Sequence, residues 1–69
     1  MSEPMIIEAV PIFDGWAVKF QGTKSAYSTH DNKAAAVKAA SELAQSMLPS
    51  AVKILKEDGT VETELDFAE

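Results

Sequence analysis

Apolar and polar positions alternate along this chain in five short runs, and one longer run recurs every three or four residues. From Met5 to Ile12, Ile6, Val10 and Ile12 share one parity, with Glu8 breaking it, while Ile7 and Ala9 fall on the other. A strand is predicted, with its inward face left open. Pro11 lacks an amide donor and points to an edge position or a strand end. Asp14-Gly15 predicts a tight turn, since glycine tolerates the positive φ of hairpin turns. Trp16 to Gln21 alternates cleanly: Trp16, Val18 and Phe20 face one way, Ala17, Lys19 and Gln21 the other. After a turn at Gly22-Thr23-Lys24, Ser25 to Thr29 reads as a third strand with Tyr27 on the buried face.

A helix follows. Thr29 or Asp31 is expected to cap it, because either side chain accepts from the free amides of a first turn. Ala34, Ala35, Ala36, Ala39, Ala40 and Ala44 favour helix intrinsically. The apolar stripe runs through Ala36/Val37, Ala40, Leu43/Ala44 and Met47/Leu48. Its small side chains predict a helix lying close to a sheet, and Pro49 is expected to end it. Ala51 to Lys56 is a fourth strand, Asp58-Gly59 a hairpin turn, and Val61, Thr63, Leu65 and Phe67 alternate with Glu62, Glu64 and Asp66 in a fifth. The expected fold is α+β: a small antiparallel sheet in the order β-β-β-α-β-β, with one helix packed on one face. A single domain over residues 1–69 is expected, with residues 1–4 and 68–69 frayed.

Composition sharpens this reading. In 69 residues only one modest core can form, and there are no cysteines to staple it. The net charge of −5 is unevenly placed: residues 1–56 sum to +1, and residues 57–69 to −6. All six basic residues are lysines. Without arginine there is no bidentate fork for phosphate or guanine, which with the acidity counts against nucleic-acid binding. The start Met1-Ser2-Glu3-Pro4 lacks the basic and apolar regions of a secretory leader, and no apolar run nears the ~18 residues that span a bilayer. The expectation is a cytoplasmic protein without membrane contact.

Several of these segments together resemble a known family. Val10-Pro11, the run Asp14-Gly15-Trp16-Ala17-Val18-Lys19, Gly22, His30-Asp31, Lys33, Ala36, Ala40 and Asp58-Gly59-Thr60 are similar to the bacterial domain of unknown function 2188. Phe13 departs from the family's more usual polar turn residue, and the acidic tail is a second departure. The resemblance implies a bacterial or phage origin and the fold already read. It carries no activity.

Candidate chemistry is sparse. His30 beside Asp31 is the natural place for a general base, but no serine lies in a nucleophile-elbow pattern and no cysteine exists. A solvent-facing histidine at a helix start accounts for it. One histidine and no cysteine do not fill a zinc site, and Glu57, Asp58, Glu62 and Glu64 lack the ladder of a calcium loop. No catalytic, cofactor or metal residues are therefore assigned, and the chain is read as a non-enzyme. Trp16 offers a stacking surface, but a domain this small needs its aromatics in the core, and it is expected to be mostly buried there. Lys19 and Lys53 point to the face opposite the apolar residues. With Lys24 they are the candidate phosphate surface, if contiguous. The leading function is a protein-interaction or regulatory module with an unidentified protein partner; the alternative is weak nucleic-acid binding through the open sheet face. Self-association as a homodimer is expected at the edge of the first strand, around Ile7, or at the sheet face that strand belongs to. That strand is apolar on both sides, whereas Glu62, Glu64 and Asp66 guard the last.

Overall fold

A computed structural model describes residues 4–68. It contains β1 (Met5–Ile12), β2 (Gly15–Phe20), β3 (Ser28–His30), α1 (Lys33–Gln45), β4 (Ser50–Leu55) and β5 (Val61–Phe67), the element order that the alternation predicts. The expected fraying at 1–4 and 68–69 falls, but for Pro4 and Ala68, outside the described residues.

The five strands form one sheet in the order β3-β2-β1-β4-β5. β1–β2, β2–β3 and β4–β5 pair antiparallel, but β1 and β4 pair in parallel, so the sheet is mixed rather than wholly antiparallel. The reason is the helix. Its 13 residues rise about 20 Å, the length of a six-residue strand. It therefore returns the chain along the sheet, and β4 must run the same way as β3. Two antiparallel steps had already made β3 parallel to β1, so β4 can join β1 only in parallel.

This pairing also corrects the expected place of β1. It is the central strand, not an edge. Pro11 is accommodated because the parallel pairing ends at Ala9↔Ile54, so Pro11 has a neighbour only in β2, opposite Trp16. Ile7, expected near a self-association edge, is flanked by Phe20 and Val52 and is fully buried under the helix. Having a paired strand on each side leaves it no free backbone edge.

Cross-strand partners share a face, so the register assigns both sides of the sheet. Ile7 and Ala9, Trp16, Val18 and Phe20, Val52 and Ile54, and Leu65 and Phe67 lie beneath the helix. Ala36, Ala40 and Ala44 are fully buried against them, which is the close approach that an alanine stripe permits. Trp16, at the start of β2 and opposite His30 of the short β3, packs against this core and is mostly buried, as expected. Tyr27 lies before β3 rather than within it and is 61% exposed. Its ring meets Phe20 edge-on at 5.9 Å between centroids.

The caps also differ from expectation. Asn32, not Thr29 or Asp31, caps the helix: its Oδ1 accepts from the Ala35 amide at 2.8 Å. The helix stops at Gln45, with Ser46 as its C-cap, before Pro49 is reached. The Ser50 hydroxyl, buried, donates to the Ala44 carbonyl at 2.6 Å and ties the start of β4 to the last helical turn. Lys33 in the first turn forms an ion pair with Glu62 of β5. At Asp58-Gly59 the hairpin turn forms as expected, with Gly59 at φ +89°. The Thr60 hydroxyl and amide both donate to Asp58 Oδ1, and these bonds hold that carboxyl below its ordinary pKa.

Candidate interaction surface

One helix covers one face of the sheet, and among the described residues nothing covers the other. Alternation within each strand and the cross-strand register define what it presents. β1 contributes Ile6, Glu8, Val10 and Ile12; β2 contributes Ala17 and Lys19; β4 contributes Ala51, Lys53 and Leu55; β5 contributes Val61, Glu64 and Asp66. Val61 is on this side because of an irregularity in β5. Ile54 pairs with Thr63 but Leu55 pairs with Val61, so Glu62 is an extra residue and Val61 is turned away from Thr63. Strict alternation had placed both on one face.

Across its middle the surface carries a straight row of charge. Lys19 is opposite Glu8, Glu8 is opposite Lys53, and Lys53 is opposite Glu64. The row therefore reads positive, negative, positive, negative from β2 to β5. Lys19 and Glu8 form an ion pair at 3.8 Å, and Lys19 Nζ also donates to the Thr23 carbonyl at 3.2 Å. Apolar residues flank the row. On one side lie Ile6 and Ala51; on the other lie Val10, Ala17, Leu55 and Val61, with Ile12 beyond them. Ile12 is 41% exposed and Val61 49%, and Phe13, at the adjoining hairpin tip, is fully exposed.

Lys19 and Lys53 do share the open face, as the alternation implied. They do not touch, because the Glu8 strand runs between them. Lys24 is exposed in the loop between β2 and β3, off the strands. Ile7 is on the opposite side, under the helix. Of the four residues expected at an interaction surface, the sheet thus brings two together, each separated from the other by a carboxylate. The apolar residues of β1 point both ways in sequence, and the parallel register with β4 is what places Ile6 and Val10 on the open face and Ile7 under the helix; Leu55 has no comparable signal in the sequence.

A concavity of about 420 Å³ lies between β3 and the helix, lined by Tyr27, Ser28, His30, Ala39, Glu42, Leu43 and Ser46. Ser28 Oγ and His30 Nε2 are 2.9 Å apart there. Among the described residues no carboxylate is hydrogen-bonded to His30, so the pair lacks the third group that would orient the imidazole. No helix among the described residues is long and apolar enough to cross a membrane.

The family model described as "Uncharacterized protein conserved in bacteria (DUF2188)" matches residues 7–67. The chain belongs to this family. The match spans all of the sheet except the first two residues of β1, so the DUF2188 fold includes both the covered and the open face. The description assigns DUF2188 no activity. No curated protein and no solved structure matches the chain.

Proposed function

We propose that this DUF2188 chain is a non-enzymatic module that binds another protein through the uncovered face of its sheet. The observation that carries the reading is the composition of that face. Ile6, Val10, Ile12, Leu55 and Val61 flank a charged row on a surface that no element among the described residues covers. Val10, Ile12, Leu55 and Val61 are grouped on one side of that row, and grouped apolar residues on a surface mark interaction sites where singly scattered ones do not. Phe13 adds a fully exposed aromatic at the same end, the residue type that anchors interfaces. The alternation of charge gives such a surface orientation rather than mere stickiness.

Affinity capture of the tagged chain from its bacterial host tests this, run beside a Val10→Asp, Ile12→Asp variant. A partner retained by the native chain and lost by the variant, with the variant's circular dichroism unchanged, is the expected result. Equal capture by both, or none by either, refutes the assignment to this face.

A further inference from the structure

The charged row has a symmetry that names its occupant. Its four members are antisymmetric about the seam between β1 and β4: Glu8 and Lys53 flank the seam, and Lys19 and Glu64 lie one strand further out. We propose that the open face binds the open face of a second copy of this chain, about a twofold axis that lies along the β1/β4 seam, parallel to the strands. This rests on the reading of that face as a protein-binding surface and supplies the partner.

The geometry is restrictive. Rotation about an axis along the seam carries each position to its mirror position across it. Glu8 then faces Lys53 of the second copy, and Lys19 faces Glu64, so all four contacts unite opposite charges. The other in-plane twofold, along the row, would set Lys19 on Lys19 and Glu8 on Glu8, with repulsion at every point. Only one of the two orientations is therefore allowed.

The apolar flanks obey the same operation. Ile6 and Ala51 are cross-strand partners, so rotation seats the large side chain of one copy on the small one of the other. Val10 and Leu55, one step beyond the last parallel pair Ala9↔Ile54, are brought together likewise. Two sheets stacked this way run nearly aligned, the usual arrangement of a β-sandwich. The rotation overlaps four strands of each copy, with β3 left outside; four strands about 4.8 Å apart and roughly 20 Å long bury on the order of 800 Å² for the pair, the range of weak, transient interfaces. The dimer is accordingly expected to dissociate within the micromolar range.

Charge exchange tests the proposal. In a dimer of one variant, Glu8→Lys places lysine against Lys53 of the second copy, and Lys53→Glu places glutamate against the second copy's Glu8. Sedimentation equilibrium from about 1 μM to about 1 mM should find the native chain passing from 7.4 kDa to twice that mass. Each variant alone should dimerise at least tenfold more weakly, from the cost of like charges brought together. The equimolar mixture restores every opposite pair, and its affinity should return to within about threefold of native. Restoration in the mixture cannot come from ion pairs within one chain. If either variant fails to fold by circular dichroism, Lys19→Glu and Glu64→Lys make the same exchange at the exposed ends of the row. A native chain that stays at 7.4 kDa throughout overturns the proposal, as does a mixture no tighter than its components. The first of these outcomes leaves the binding reading to the capture experiment, so the two fail separately.

Discussion

Ile6 and Ile7 are chemically identical neighbours on opposite sides of the central strand, and replacing each with alanine measures the two faces. Ile7 is fully buried between Phe20 and Val52 and beneath the helix, whereas Ile6 is half-buried on the uncovered side. Ile7→Ala removes three carbons from water-free surroundings, about 2.4 kcal/mol at ~0.8 kcal/mol per methylene. The void adds to this, because the central strand is held on both sides and cannot close in; the total expected is about 3–4 kcal/mol. For 69 residues total stability is on the order of 3–10 kcal/mol, so the variant loses much of its margin. Ile6→Ala should cost below about 1 kcal/mol, since its surface is already partly wet. Urea unfolding, followed by Trp16 fluorescence at a concentration where the native chain is monomeric, gives both values. Equal losses, or a larger loss at Ile6, would refute the assignment of the helix to the Ile7 face.

Three further outcomes follow from local geometry. Ser50→Ala should lower stability by about 1 kcal/mol by deleting the hydrogen bond to the Ala44 carbonyl, read as a shift in urea midpoint without a change in slope. Gly15→Ala should cost about 1–3 kcal/mol, since a β-carbon there would run into the His30 backbone carbonyl; faster amide exchange confined to β3 is the signature, and a gain in stability would contradict it. DNA binding should be no tighter than the nonspecific range of about 10⁻⁴ to 10⁻⁶ M at physiological salt, because Glu8 splits the lysines and the chain has no arginine; nanomolar affinity in a fluorescence titration would overturn this.

Local signals in the sequence determine the structure where its cause is local. The alternation through Trp16, Val18 and Phe20, the alanine stripe and the Asp58-Gly59 turn each produce what they predict. Turn residues, however, specify only neighbours joined by a turn. Nothing in them states that β4 inserts beside β1, and that one pairing decides which face of β1 is inward, that Ile7 is core, and that Ile6 and Val10 are on the open side. The Asp14-Gly15 turn was legible but its cause was not: Gly15 does not adopt a positive φ and is needed for the close approach of the His30 carbonyl. The extra residue Glu62 is invisible to parity counting, which assumes that every position advances the alternation. Alternation puts Lys19 and Lys53 on the face they occupy, but in sequence Glu8 only interrupts an apolar pattern, and the register alone makes it the charge between them.

The seam between β1 and β4 also orders events during synthesis. Met5 pairs with Ser50, 45 positions later, while every other strand contact is made within a hairpin or a short connection. As the chain emerges from the ribosome, β1, β2 and β3 can assemble first, leaving the inner edge of β1 bare until the helix and β4 have been made. For that interval the most apolar strand of the molecule offers unpaired amides and carbonyls to any neighbour. The distant pairing that completes the sheet is the slow step expected of non-local contacts, and it is also the step that removes the nascent chain's aggregation hazard.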